Sequence, residues 1–566
     1  KKGKENFFTK DITPAHAHSF LLTALVSPDY VDVTGDGVSD DDLGDAVKFN
    51  YTRIYGKKKN TQYYKWRTPN EQNMVNYDEG LKTYSRDDKG TYIFGEKEVW
   101  YLNSVASKTM IAVFRISDKR EDNLGVKDEN GGVDPAQKMR RLERVDLYSK
   151  PDLIQNGVNA RPVKSVHFEY DYSLCRNTPN NSGNPVDKGG NAVSEGSSNN
   201  VNKNKGKLTL KKIWFSYNGN YKGIKNPYTF NYGQVESGQP ANKYNPEHNS
   251  RHYDRWGSYK HPSSNPSSLN NVDYPYAVQD SAKAAEYSNA WQLTDIKLPS
   301  GGIMKISYEA DDYAYVQNRR AMQLFTIAGF GSTSSSTPEQ KMYMSNPDRT
   351  EYEYVFIDVS KSVTDKADIY RKYLQGVEKL YFKLAVQMPE DVWGKGFDMV
   401  PTYVNIDQDN YGVVPGNDKR IWIKLAKVDN KHPLLLAALQ FMKLNIPAKA
   451  YPASETGEGL SFESAVRMLV TSISEIQNVV KGFYNMGKNR FWCQQVVVSK
   501  SFVRLNAPTY KKYGGGYRVK RVETFDNWNA MTTQKEANYG QQYSYTTTEV
   551  ITKQTLVSGV RKLVKD

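Results

Sequence analysis

Between residues 291 and 325 the chain reads WQLTDIKLPSGGIMKISYEADDYAYVQNRRAMQLF, and this stretch constrains the fold more than any other. Apolar side chains recur between polar ones through Leu293, Ile296 and Leu298, stop at Pro299-Ser300-Gly301-Gly302, and resume through Ile303, Met304, Ile306 and Tyr308. Successive side chains of a strand point to opposite faces, so two such runs around a Pro/Gly turn predict an antiparallel β-hairpin. The continuation from Glu309 is polar and rich in tyrosine. It suits rings that cover a half-wet sheet surface while their hydroxyls find partners, which is a scaffold and not a catalytic loop.

Similar short runs recur along the chain. Strands are expected at residues 46–55, 90–94, 98–102, 110–115, 141–148, 164–172, 208–217 and 226–233, and again at 379–388, 419–428, 494–505, 516–525 and 543–552. Polar turns separate them, and Gly514-Gly515-Gly516 reads as one more permissive turn. Three segments carry helical spacing: 360–374, 433–444 and 461–483. In the last, Phe462, Val466, Leu469, Val470, Ile473, Ile476, Val479, Val480 and Phe483 hold one face, as expected for packing on a neighbouring sheet. The expected class is therefore mainly β, with antiparallel sheets arranged as a sandwich, barrel or extended array and a smaller α+β insertion around 355–485.

Composition shifts suggest boundaries. Residues 1–50 form an N-terminal segment, 51–175 a β domain, 207–330 a second β segment, 331–490 a mixed α+β region and 491–566 a C-terminal β segment. Residues 176–206 are almost devoid of apolar side chains and rich in Asn, Gly and Ser, so they bury too little to offset their ordering entropy and are expected to form an exposed loop. Residues 329–338 read as a flexible break. The terminal sheet is expected to continue into a neighbouring domain or subunit, including a second copy of the chain, because an unpaired edge invites pairing. The first residues, Lys1-Lys2-Gly3-Lys4, carry neither an initiator Met nor a signal peptide, as expected of a piece of a larger processed precursor.

The chain carries 41 Tyr against 20 Phe and a formal charge of +14. Tyrosine in this excess suits broad, partly solvated sheets and binding faces. Lys and Arg are dispersed, and no nucleic-acid-binding module is recognisable, so the charge points to acidic glycans or an anionic surface and not to nucleic acid. Two cysteines, Cys175 and Cys493, exclude a disulfide framework and leave room for one long-range bridge. No run reaches about eighteen apolar residues, so no transmembrane helix is expected.

One loop has the spacing of a metal site. Residues 32–40, DVTGDGVSD, place oxygens at alternate positions around a tight glycine turn: Asp32, Thr34, Asp36 and Asp40 through side chains and Val38 through its carbonyl. The expected ligand is a structural Ca²⁺, although Leu43 stands where an EF-hand has its bidentate Glu. The alternative is an Asp/Gly turn without a metal. His248, His252 and His261, near Glu247 and Asp254, lie in a proline-interrupted stretch and are expected to be solvated or hydrogen-bonded and not zinc ligands.

The 291–325 hairpin, together with residues 95–109 (GEKEVWYLNSVASKT), Asp254-Arg255-Trp256-Gly257-Ser258-Tyr259-Lys260 and 513–522 (YGGGYRVKRV), resembles segments of very large secreted proteins of the Bacteroidetes, distantly akin to Rhs/YD-repeat proteins. The strands at 208–217 and 226–233 resemble an Rhs-type pair. The 32–40 loop resembles calcium loops of FG-GAP or VCBS-type propeller blades. The repeated YD units of a full Rhs array are absent. The resemblance implies an extracellular, cell-surface protein exported by the type IX route, acting as a non-catalytic structural or adhesive segment with a glycan or surface-protein ligand. The alternative it implies is the delivery shell of an Rhs-type polymorphic toxin.

The chain has no G-x-S-x-G elbow, no P-loop and no H-E-x-x-H helix. Acidic pairs such as Asp311-Asp312 or Glu96 and Glu98 would serve glycoside hydrolysis only across a cleft of suitable width, and such pairs are common on solvated surfaces. No enzymatic activity is expected.

Overall fold

The computed structural model describes residues 10–56, 62–75, 90–178, 206–233, 245–249, 251–254, 256–265, 269, 271, 279–390, 396–446, 476–530, 532–545, 552–557 and 560–565. The chain is mainly antiparallel β. Ten strands build one sheet in sequence order: β1 (Ala24–Val26), β2 (Ala46–Tyr55), β3 (Val99–Ala106), β4 (Met110–Ser117), β5 (Arg141–Ser149), β6 (Lys164–Leu174), β7 (Lys207–Tyr217), β8 (Tyr228–Tyr232), β9 (Leu293–Lys297) and β10 (Ile303–Tyr313). The chain then leaves for a closed barrel of β11 (Met322–Gly331), β12 (Tyr354–Asp358), β13 (Lys379–Gln387), β14 (Phe397–Val414), β15 (Asn417–Leu425) and β16 (Phe502–Asn506). It returns as β17 (Lys512–Phe525), which pairs with β10, and β18 (Asn538–Gln542), which pairs with β17. The sheet thus has twelve strands, and the barrel is an insertion between the tenth and eleventh.

The hairpin at the centre of the sequence reading is β9–β10, with Ile296 opposite Met304 and Lys297 opposite Ile303. Sheet and barrel bury their side chains differently. Most residues of β2, β6 and β10 are half-buried. Cross-strand pairs hold this partly wet surface: His167 on β6 faces Trp214 on β7, with ring centroids 3.7 Å apart and planes 3° from parallel. In the barrel, Phe330, Phe356, Phe382 and Phe502 are fully buried. Phe330 and Phe382 lie in the main apolar cluster and Phe502 in a second one with Leu324, Ala385 and Met399, close packing of the kind that fixes one arrangement.

Helices α1 (Lys150–Asn156) and α2 (Ser281–Ser288) belong to the sheet, and α3 (Lys366–Ile369), α4 (Pro433–Asn445) and α5 (Ile476–Asn489) to the barrel. The apolar stripe of α4, Leu434, Leu435, Ala438, Leu439 and Met442, is buried in the barrel's core cluster with Phe483 and Tyr484 of α5. Pro at the first turn and His432 as N-cap start α4: the His432 Nδ1 accepts a bond from the Leu435 amide at 3.2 Å. Residues 461–475 of the expected long helix lie outside the described residues, as do 179–205 of the expected exposed loop. Among the described residues no helix is long and apolar enough to cross a membrane.

The mainly antiparallel β class expected from the sequence is what the fold shows, and the expected α+β insertion holds barrel strands together with α3, α4 and α5. Other expectations need correction. Residues 329–331 are no flexible break: β11 runs through Gly331, and Phe330 exchanges backbone hydrogen bonds with Glu339 at 2.8 and 2.9 Å. Gly514, Gly515 and Gly516 lie inside β17 and not in a turn. No bridge joins the cysteines. Cys175 and Cys493 are both free and buried, with Cys175 beside the Tyr253 hydroxyl and Cys493 beside Met388.

Candidate functional site

Three glycines in one strand create the most distinctive local geometry. Along β10 and β17, Ala310 pairs with Tyr517 and Asp312 with Tyr513, so Asp311 alone faces Gly514, Gly515 and Gly516. A bulge of this kind needs backbone angles that side chains rarely allow, and the glycines take φ of +132°, +95° and +144°. The Tyr513 amide donates to the Gln279 side-chain carbonyl at 2.8 Å. Arg518 anchors the following turn of the ladder through Glu309 at 2.8 Å and Asp312 at 2.7 Å.

Above this bulge lies the loop that carries Trp256. Tyr253 and Tyr259 close it as an isolated β-bridge. Asp254 holds it from inside, its Oδ1 accepting from the amides of Trp256 and Ser258, both at 2.9 Å. Trp256 therefore stands out from the loop, 42% exposed, against Gly514. Helix α2 forms a third wall. Its N-cap Asp280 accepts from the amides of Ala282 and Lys283 at 2.9 and 3.2 Å.

Together these walls enclose a cleft of about 440 Å³, within the range of roughly 300–1,000 Å³ typical of small-molecule sites. Its inner side is an aromatic cluster. The Trp291 ring lies 5.6 Å from Tyr253 and 5.2 Å from Tyr259, and Tyr259 meets Tyr287 edge-on at 5.6 Å. Trp291 adopts φ of +59°, a conformation costly for a bulky residue, and its indole donates to the Pro246 carbonyl at 2.8 Å. Tyr287 shares a hydrogen bond with Ser264.

Burial perturbs the charges here. It raises the Asp254 carboxyl above the ordinary range, against the pull of the loop amides. It also lowers the Lys260 ammonium to about 8. Tyr259 is pushed up to about 12 by burial, helped by Tyr287 and Glu286. Perturbed groups gathered in a cleft mark a candidate functional site. The carboxylates, however, are turned to loop and helix amides, so what they do is hold the walls in place.

The sequence-derived candidates fall elsewhere. In the 32–40 loop, Asp32 accepts from the amides of Gly35 and Gly37 at 2.7 and 3.0 Å, and the Thr34 hydroxyl donates to Asp36 at 3.1 Å. Val38 and Asp40 turn to a separate cavity, where the Lys48 ammonium takes the Val38 carbonyl and Lys150 takes Asp40, each at 2.5 Å. Asp42, absent from the expected ligand set, is the buried acid of the loop and accepts from the Tyr30 hydroxyl and the amides of Val33 and Ser39. Among the described residues no three His, Cys, Asp or Glu side chains are grouped as a metal would require. The donors of residues 32–40 fit a calcium ion only if Asp40 and Val38 release their lysines.

The histidines sit beside the cleft cluster. His252 and His261 have ring centroids 4.5 Å apart, and the His261 ring nitrogen accepts from the Ser263 amide. Asp312, of the acidic pair, is held by Arg518 and Lys511. Nothing in the sequence reading singled out Trp256 or Tyr517 as a site. The cleft joins residues far apart in sequence: Asp254, Trp256 and Tyr259, Trp291 and Ala310 of the hairpin stretch, and Tyr513 to Tyr517. Scanned against models of known protein families the chain matches none, and a search of curated proteins finds no match.

Proposed function

We propose that the protein is a non-catalytic structural and adhesive segment of a large secreted cell-surface protein, and that the aromatic cleft is its contact site. The observation that carries this reading is the exposed pair Trp256 and Tyr517, 42% and 46% exposed, at the mouth of a cleft whose walls are fixed by internal hydrogen bonds. Binding surfaces use such rings because they offer large, rigid, amphipathic area at low entropic cost. The wide half-solvated sheet supports the same reading as a framework, and among the described residues no further strand pairs beyond its outer strands, β1 and β18.

The reading extends to a stiffening Ca²⁺ at residues 32–40, exchanging for the two lysine ammonium groups that hold Val38 and Asp40. Membership in Rhs-like surface proteins, export by the type IX route and the absence of catalysis belong to the same proposal, and they rest on the resemblance of the motifs. Surface labelling of native cells with an antibody raised against the 176–206 segment tests it. Labelling of intact cells is the expected result, and signal confined to the cell interior would contradict the surface reading.

A further inference from the structure

We infer that the cleft between the Trp256 loop, α2 and the three-glycine bulge of β17 binds a short neutral oligosaccharide. This inference deepens the adhesive reading above and rests on it for the role of the site. A sugar ring has two kinds of surface. Its C–H face is apolar and slightly electropositive and packs on an aromatic plane, whose face is electronegative. Its equatorial hydroxyls each need a donor and an acceptor once water is displaced.

The cleft supplies both. Trp256 and Tyr517 present partly exposed rings at its mouth. Tyr513, Gln292, Lys283 and Ser258 also line the cleft, residue types that between them carry donors and acceptors. Within the bulge Gly514 is covered by Trp256 and Gly516 by Asp311, but a β-carbon on Gly515 would meet nothing within 4 Å, so a ligand can approach the main chain there.

Charge decides between ligand classes. Among the described lining residues, Asp254 and Asp280 stand against Lys260 and Lys283, and none is an arginine. Among the described lining residues an anionic glycan, phosphate or nucleic acid would find none of the guanidinium forks that recognise such groups. An apolar peptide segment would leave the polar lining unpaired.

The test is tryptophan fluorescence of the purified full chain titrated with cellotriose, maltotriose and tri-N-acetylchitotriose, with a heparin-derived tetrasaccharide alongside. At least one neutral trisaccharide is expected to give saturable quenching. Trp256→Ala should weaken it tenfold or more, Trp256→Phe should retain most of it, and Trp528→Ala, at an exposed indole on the segment after β17, should leave it unchanged. Circular dichroism of each variant separates lost binding from lost folding. Saturable binding of the heparin fragment alone, or neutral-sugar binding insensitive to Trp256→Ala, would overturn the inference, as would no response to any neutral probe. These outcomes are independent of the surface-labelling result: a surface-exposed chain that ignores neutral sugars removes this ligand class alone, and a sugar-binding chain found only inside cells removes the surface reading alone.

Discussion

Gly514 and Trp256 are matched to each other: a β-carbon built on Gly514 would lie 2.7 Å from the Trp256 ring carbon Cζ3. The indole occupies the space that any other residue at 514 would fill, and the φ of +132° there also disfavours a side chain. Gly514→Ala is therefore expected to cost about 1–3 kcal/mol of stability and to displace Trp256 from the cleft mouth. Thermal unfolding together with the Trp256-dependent part of the fluorescence checks both consequences. Unchanged emission and unchanged melting would show that indole and glycine are not coupled.

His432 ties the first turn of α4 to the barrel. Its Nδ1 accepts from Leu435, its Nε2 donates to the Tyr352 carbonyl at 2.8 Å, and its backbone amide donates to the Tyr484 hydroxyl at 3.0 Å. Burial holds its pKa down at about 4, against the opposing pull of Glu351 and the Tyr352 carbonyl. The folded state thus takes up this proton later than the unfolded chain, whose histidine titrates near 6.5. The contribution to stability is complete above about pH 6.5 and falls as pH drops towards 4. His432→Asn keeps a capping acceptor but cannot titrate. It should lower stability at pH 7 by about 1–2 kcal/mol, and the gap from wild type should close on acidification, as measured by denaturant unfolding at pH 7, 6 and 5. A gap constant with pH would exclude the histidine as its source.

The β-sheet was legible where side chains alternate and the partner is next in sequence. Leu293 to Tyr308 announced their hairpin because both strands and the turn lie within a few residues, and the pairing of β9 with β10 followed. The barrel was not legible, because closure joins β11 to β16, far along the chain, and because a strand buried in a closed core need not alternate. The glycine triplet misled for a related reason. Three consecutive glycines usually mark a turn, but here the requirement comes from Asp311 on the opposite strand and from Trp256 on a distant loop. The cleft itself depends on three segments that only the fold brings together, whereas the 32–40 loop could be read locally and its lysine partners, Lys48 and Lys150, could not.

Asp312 on β10 accepts from Arg518 at 2.7 Å and from Lys511 at 3.1 Å. Burial opposes its ionisation, but these two hydrogen bonds outweigh that and hold the carboxyl below the ordinary range. Its stabilising effect is present above the unfolded pKa, near 3.9, and is lost as pH falls through the folded value. Asp312→Asn is expected to cost about 1–3 kcal/mol at pH 7, since Arg518 keeps Glu309 as a second partner. Urea unfolding of the two proteins at pH 7 and pH 3 should show the difference shrinking in acid.

Calcium is expected to raise the melting temperature, with a stabilisation of about 2.7 kcal/mol at a hundredfold excess over Kd. Asp32→Asn or Asp36→Asn should abolish the response. Lys150→Met, which frees Asp40, should tighten calcium binding. Melting curves identical in EGTA and in calcium would leave residues 32–40 as a turn neutralised by lysines.

The most direct test of the adhesive role assigned to the aromatic cleft is retention of the purified chain on a mucin-coated sensor, wild type against Trp256→Ala, with cellotriose, maltotriose and tri-N-acetylchitotriose as competitors. Retention of wild type that at least one competitor displaces, and at least tenfold weaker retention of Trp256→Ala, is the expected result. Equal retention of the two proteins, unaffected by any competitor, would contradict the assignment of the cleft as the contact site.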